Sequence, residues 1–250
     1  MAGVKIQQLS KIFHINGQEV NALSDINLTI EDGSFVTLVG KSGSGKTTLL
    51  RLICGLEKAA RGKISFSPPD KEKNCRPERI SIVFQEPRLM PWLTVEQNMA
   101  FPLIKEKNRV RVSETVHYYL DLLGLKEFKD AYPAQISGGM AQRAALGRTL
   151  CYDPDVILMD EPLGALDAFT RKKLQADLID IFLLKKKTIV FVTHDVDEAV
   201  FLGQRVVIFE AGKIVECMPV HLDYPRDVLS QDFFRTKKKI LGRIVGENVD

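Results

Sequence analysis

Residues 35–54 read FVTLVGKSGSGKTTLLRLIC, an apolar run, a glycine-rich stretch and a helix-like run in immediate succession. Within it, Gly40, Gly45, Lys46 and Thr47 fall in register with G-x-x-x-x-G-K-[ST]. The order is what phosphate binding needs. A strand, Phe35–Val39, delivers the chain to a tight turn, where glycines let several backbone N–H groups converge on phosphate oxygens. The helix that follows, predicted over Lys46–Cys54, turns its positive end toward the same anion. Lys46 would reach the β- and γ-phosphates and the Thr47 hydroxyl would ligate Mg²⁺. Gly40, Lys41, Ser42, Gly43, Ser44, Gly45, Lys46, Thr47 and Thr48 are thus the candidate residues for binding ATP.

Outward from this stretch, short apolar runs alternate with amphipathic ones, the pattern of a layered α/β domain. Ile80–Phe84, Val156–Met159 and Thr188–Val192 read as further central parallel strands. Ser113–Leu123, Ala141–Leu150 and Thr170–Leu184 read as helices. The first thirty residues differ, with alternating runs at Val4–Leu9 and Ile26–Ile30, and are expected to form a small antiparallel sheet against the nucleotide. From Met218 onward, two or three short elements are expected. VILMDEP, residues 156–162, places Asp160 and Glu161 at the carboxyl end of a buried strand, where open parallel sheets bind ligands. Asp160 suits a Mg²⁺ shell and Glu161 suits a general base that polarises an attacking water.

The 250 residues allow one large domain, and 45% hydrophobic and 27% charged residues are ordinary for a globular protein. A net charge of +3 does not argue for nucleic acid. The lysine runs 185–187 and 237–239 read as solvated surface. Cys54, Cys75, Cys151 and Cys217 form no CxxC pair, so reduced thiols are expected rather than a disulfide frame or zinc site. No secretory leader is visible, and no apolar run approaches the ~18 residues that span a bilayer.

Between the two phosphate-site motifs lies ISGGMAQRAALGRTL, residues 136–150. With it the sequence resembles the ATP-binding cassette family, whose signature is usually written LSGGQ followed by a basic helix. The resemblance covers roughly residues 4–217. It implies a P-loop NTPase cassette of α/β class with a RecA-like core, a small N-terminal antiparallel β subdomain and a helical signature subdomain. The cassette would span 1–217, with the helical part inserted at about 90–150, and 218–250 would be a short C-terminal extension.

The resemblance also implies a second ATP-binding subunit, an identical chain or a paralogue, paired head to tail. Ser137, Gly138, Gly139 and Met140 would cap the γ-phosphate held by the other chain. Met140 stands where the family usually has Gln, and Ala141 where a basic residue is frequent. Gln85, in VFQEPRL, resembles the glutamine that contacts Mg²⁺ and the attacking water. Leu166 and Asp167, in GALD, resemble the loop that crosses the dimer interface. His194, in VTHD, resembles the switch histidine on the γ-phosphate, and Phe13 the aromatic that stacks on adenine, with His14 as a substitute.

PWLTV after Gln85, and PRD at 225–227, resemble importers for nitrate, taurine and other sulfonates, bicarbonate and pyrimidine precursors. Such a chain would be an ATPase at the cytoplasmic face of the membrane. It would dock on transmembrane permease subunits through the surface around Gln85 and Trp92, and serve a periplasmic or extracellular solute-binding protein indirectly. The competing reading is a soluble cassette ATPase of DNA repair or translation; coiled-coil arms, zinc insertions or paired cassettes that mark such proteins are not visible. A P-loop GTPase or small-molecule kinase would leave the SGG helix start unexplained.

Overall fold

The computed structural model describes residues 2–67, 79–164 and 166–246. Two strands, β1 (Gly3–Ile15) and β2 (Gln18–Ile30), open the chain, and β3 (Phe35–Gly40) leads into helix α1 (Lys46–Ile53). Then come β4 (Arg61–Ser67), β5 (Ile80–Val83), α2 (Val95–Ala100), α3 (Arg109–Leu122) and α4 (Gly138–Cys151). The second half continues through β6 (Val156–Asp160), α5 (Ala168–Lys185), β7 (Thr188–Val192) and α6 (Val196–Leu202). It closes with β8 (Arg205–Glu210), β9 (Lys213–Pro219) and α7 (Gln231–Val245). Cys151 and Cys217 carry free thiols, and Cys75 lies outside the described residues.

Two sheets organise the domain. One is antiparallel in the order β2-β1-β4; the other runs β5-β6-β7-β3-β8-β9 and is parallel except where β9 joins β8. The antiparallel sheet corrects the reading of short alternating runs, because β1 and β2 are each 13 residues long. Asn16-Gly17 joins them, both with positive φ (51° and 78°), as a two-residue hairpin turn requires. The alternation is hidden because β1 shifts register between Ile6 and Leu9, between Leu9 and Lys11, and again at Ile12. Each shift moves the following side chains relative to the sheet faces.

The central strands are buried on both faces, as parallel strands covered on two sides must be. Val36, Leu38, Leu158 and Val190 face a core shared with α1 and with Ile6, Leu9, Leu23 and Ile26 of the antiparallel sheet. Phe35, Ile157, Ile189 and Phe191 face the opposite core, with Met99, Leu120, Leu146 and Phe182 from the helices. A third cluster joins Val39, Val200 and Val206 to Phe233 and Ile240 of α7. Residues after 217 therefore pack on the sheet: β9 runs through Pro219, and Phe233 and Ile240 are buried. Arg226 of the PRD element is buried beneath the end of α6, donating to the carbonyls of Val200 and Gly203 (2.7 Å) and through Nε to Leu222 (3.0 Å). A guanidinium there satisfies carbonyls that the helix leaves unpaired and offsets its negative end.

Side chains fasten the segment between β5 and α2 to the helices. The Arg148 guanidinium on α4 donates to the carbonyls of Arg88 (2.9 Å) and Pro87 (3.0 Å), and Gln142 donates to the Phe84 carbonyl (3.0 Å). Asn98 on α2, fully buried, accepts from Met90 N (2.8 Å) and donates to the carbonyls of Met90, Leu93 and Thr94 at 3.0–3.1 Å. Trp92 is carried on this fixed loop with 71% of its surface exposed. Asn98→Ala leaves those backbone groups buried without a partner and is expected to destabilise the domain by about 2–3 kcal/mol. Denaturant unfolding checks this, and an unchanged midpoint would show that the loop holds itself.

Candidate functional site

The glycine-rich loop between β3 and α1 is pinned from outside. A Cβ on Gly45, whose φ is 103°, would lie 2.6 Å from the Ala22 carbonyl and 2.7 Å from Leu23 Cδ2 of β2. Gly212 N donates to the Ser44 carbonyl (3.1 Å) and Ser24 N to the Gly212 carbonyl (2.8 Å), so β2 and the β8–β9 turn brace the loop. Lys46 is buried, its ammonium donating to the carbonyls of Gly40 (2.8 Å) and Lys41 (3.0 Å) and to Ser44 Oγ (3.2 Å). Burial pulls its pKa below the ordinary lysine value, while the carboxylates of Glu161 and Asp160 oppose that shift. Ser42 and Thr48 complete the loop, and Gly43 takes a positive φ of 77°.

The acidic pair follows directly from strand register. Asp160, the last residue of β6, lies opposite Val192 of β7, and the Glu161 N–H donates to the Val192 carbonyl (3.1 Å). Thr47 Oγ1 donates to Asp160 Oδ1 at 2.8 Å, joining α1 to β6 across the sheet's end. Burial raises the Asp160 pKa, opposed first by the hydrogen bond from Thr47. Glu161 holds φ at 46°, a left-handed conformation uncommon for a residue with a side chain and typical of functional turns. Its Oε2 lies 3.1 Å from Nδ1 of His194, whose side chain is 65% exposed.

Gln85 sits at the neighbouring strand end. Its amide nitrogen would lie 3.7 Å from a Cβ on Gly164, in the turn after Glu161. Among the described residues its side chain makes no hydrogen bond to Thr47, Asp160 or Glu161. The loop, the acidic pair, His194 and Gln85 thus gather at one edge of the parallel sheet.

The other predicted residues lie elsewhere. Phe13, half-buried, pairs with Val20 across the β1–β2 hairpin, and Lys11 Nζ stands 4.6 Å over its ring. Val20 is exposed and shares Phe13's face, two residues before Ala22, which touches Gly45. No sequence signal marks Val20, whose pairing with Phe13 is visible only once the Asn16-Gly17 turn sets the register. His14 is exposed and pairs with Glu19 at 3.3 Å.

Ser137 caps α4, its Oγ accepting from Met140 N (3.3 Å), and Ser137 and Gly138 are exposed. Met140 packs partly into the helical core. Gly139 approaches α5 so closely that a Cβ there would meet Thr170 Cγ2 at 2.8 Å and Leu166 Cδ2 at 3.5 Å. Asp167 caps α5, accepting from Phe169 N and Thr170 N at 3.0 Å each, and hydrogen bonding, from the Thr170 side chain first and then from these N–H groups, holds its carboxyl below the ordinary value. Residues 137–140 and 166–167 therefore form one block, and among the described residues no hydrogen bond joins it to the loop at 40–48.

Among the described residues, no group of three or more His, Cys, Asp and Glu side chains could hold a metal by themselves. One hydroxyl and one carboxylate, Thr47 and Asp160, are hard oxygen donors. They fit Mg²⁺, which is typically held by one or two carboxylates together with phosphate oxygens and water.

The sequence profile described as "ABC transporter" matches residues 23–164. An uncharacterized ABC transporter ATP-binding protein of Methanocaldococcus jannaschii is 45% identical, over 98% of this chain and 92% of that protein. The aliphatic sulfonates import ATP-binding protein SsuB of Bacillus subtilis is 43% identical, over 95% and 92%. Among solved structures, a dimeric ATP-binding cassette in a post-hydrolysis state bound to ADP and Pi superposes with a TM-score of 0.77. It is 32% identical, over 87% of this chain and 99% of that one.

Gly45→Ala is expected to displace β2 from the loop, since neither the Ala22 carbonyl nor the backbone conformation can yield cheaply. Nucleotide binding measured by calorimetry should weaken at least about tenfold, the equivalent of roughly 1.4 kcal/mol. Wild-type affinity would show that β2 does not constrain the loop.

Proposed function

The chain belongs to the ABC transporter family, and we propose that it is the ATP-hydrolysing subunit of an importer for aliphatic sulfonates or a related small anion such as nitrate, taurine or bicarbonate. A soluble cassette unconnected with transport is not favoured by relatives whose names specify import. The observation that carries the catalytic reading is the pairing of two contacts at one sheet edge, Thr47–Asp160 at 2.8 Å and Glu161–His194 at 3.1 Å.

In this reading the loop at 40–48 and the N-terminus of α1 hold the triphosphate, and the Lys46 ammonium offsets charge on the β- and γ-phosphates. Phe13 and Val20 offer an apolar face for adenine. Thr47, Asp160 and Gln85 would hold Mg²⁺, which when bound neutralises phosphate charge. Glu161 takes a proton from the attacking water. His194 donates from Nδ1 to the Glu161 carboxylate, and in its protonated form, where both ring nitrogens carry hydrogen, Nε2 would donate to a phosphate oxygen. Charge in this transfer spreads over the γ-phosphoryl oxygens, so positioning and fixed donors supply most of the acceleration.

Ser137 and Gly138 at the start of α4 are exposed, and among the described residues no hydrogen bond joins residues 137–140 to the chain's own loop, which supports the reading that they serve a second subunit's nucleotide. ATP binding across such an interface favours the closed pair by its greater affinity for it. Leu166 and Asp167 would lie in the same interface. Among the described residues no helix is long and apolar enough to cross a membrane. The chain in this reading is peripheral, at the cytoplasmic face, docking on permease subunits that receive solute from a binding protein. The exposed Trp92, on a loop whose backbone Asn98 and Arg148 hold in place, is the proposed contact with the permease.

Glu161→Gln should bind MgATP normally and lose about 10²–10⁴-fold in turnover, the range a positioned general base contributes. Steady-state phosphate release, measured with the permease present, checks it; near-normal turnover removes Glu161 from the role. Lys46→Ala should lose most nucleotide binding, since phosphate charge would face no ammonium. Tight MgATP binding by that variant would contradict the site.

A further inference from the structure

Behind His194 lies a buried polar network whose central group the proposed chemistry does not use. Glu198 on α6 is only 6% exposed. Its Oε2 accepts the Thr193 hydroxyl at 2.7 Å, and its Oε1 accepts Gln175 Nε2 of α5 at 3.3 Å. Thr193 Oγ1 in turn accepts Asp195 N at 3.0 Å. The residues on both sides of His194 are therefore fixed through one hydroxyl, and that hydroxyl is fixed by Glu198.

The same carboxylate faces Arg171 of α5. Arg171 Nε stands 3.7 Å from Glu198 Oε1, beyond hydrogen-bond length, and is buried with no hydrogen-bond partner. Its Nη2 donates to the Leu166 carbonyl at 3.0 Å, in the loop packed against the start of α4. A buried carboxylate and a buried guanidinium N–H are both costly unless joined. Here the join is almost made. Closing the 3.7 Å gap to hydrogen-bond length takes a movement of under about 1 Å. Burial raises the Glu198 pKa, the hydrogen bond from Thr193 and the charge of Arg171 oppose it, and the carboxylate of Asp195 adds to it.

We propose that Arg171 and Glu198 are positioning residues that couple the Leu166–Asp167 loop to the segment carrying His194. Displacement of that loop by a second subunit pulls or releases Arg171, and Glu198 passes the change through Thr193 to the switch histidine. Hydrolysis then responds to the partner as well as to the nucleotide. The coupling rests on the roles assigned above to Glu161, His194 and the paired subunits.

A double-mutant cycle with Glu198→Gln, Arg171→Gln and the double variant tests it, measured on the full chain with permease. Each single change should lower kcat about tenfold, with the KM for MgATP within about twofold, and the double should fall no further than the singles. The Hill coefficient for ATP should drop toward one in all three, which a packing defect would not produce. Thr193→Ser should keep the rate and Thr193→Val should lose it as Glu198→Gln does. That pair decides the matter if unfolding temperature shows a charge variant to be misfolded. Additive losses, an unchanged Hill coefficient, or equal rates for Thr193→Ser and Thr193→Val would overturn the coupling. Glu161→Gln run alongside separates the two layers. Full turnover in that variant sinks the catalytic reading, whereas its loss with additive effects at Glu198 and Arg171 sinks the coupling alone.

Discussion

Val192 on β7 lies opposite Asp160 on one side and Leu38 on the other. That shared register is the constraint on which the site depends. It brings three strand ends level, so the glycine-rich loop leaving β3, the acidic pair leaving β6 and His194 leaving β7 emerge at one edge. No side chain could bring them together if the strands slipped, because a one-residue shift turns every following side chain to the other face. Burial on both faces fixes the register. Phe35, Ile157 and Phe191 fill one core while Leu38, Leu158 and Val192 fill the other, and any slip exchanges the two sets.

Around that edge the chain adds two braces. The antiparallel sheet presses β2 against Gly45, so the curvature of the phosphate loop is a tertiary property as much as a local one. On the far side, α4 grips the segment after β5 through Gln142 and Arg148, and meets α5 through Gly139. A residue next to the Trp92 loop, a residue at the start of α4 and a residue in the 166–167 loop are thus parts of one packed body. Under the proposed function this is the mechanical link between a docked permease and a shared nucleotide.

What the sequence made legible was local chemistry in a demanded context. Gly40, Gly45, Lys46 and Thr47 sit between a strand and a helix as the motif requires, and Asp160–Glu161 end a continuous apolar run. Buried parallel strands leave that unbroken signature. The antiparallel sheet was only half legible, since the register shifts in β1 erase the two-residue period. The starts of α3, α4 and α5 lie two to four residues before the expected Ser113, Ala141 and Thr170, because capping by Asn108, Ser137 and Asp167 starts each helix before its apolar stripe begins. Least legible were Asn98, Gln142, Arg171, Arg226 and Glu198. Each is an ordinary polar residue in sequence, and its partners, in the adjoining loop for Asn98 and across the fold for Gln142 and Arg226, are carbonyls or side chains that no spacing rule connects.

The central claim is that a complete site takes its phosphate loop from one chain and its Ser137 helix start from another. Mixing two defective chains tests this directly, one carrying Lys46→Ala and the other Ser137→Arg, each inactive alone. In a paired assembly, one of the two sites in a mixed dimer combines an intact loop with an intact helix start. ATP hydrolysis measured after mixing should therefore reappear, rising and then falling as the ratio of the two chains is varied. A mixture as inactive as its components, with mixed dimers shown to form, would mean that each chain completes its own site and would contradict the account.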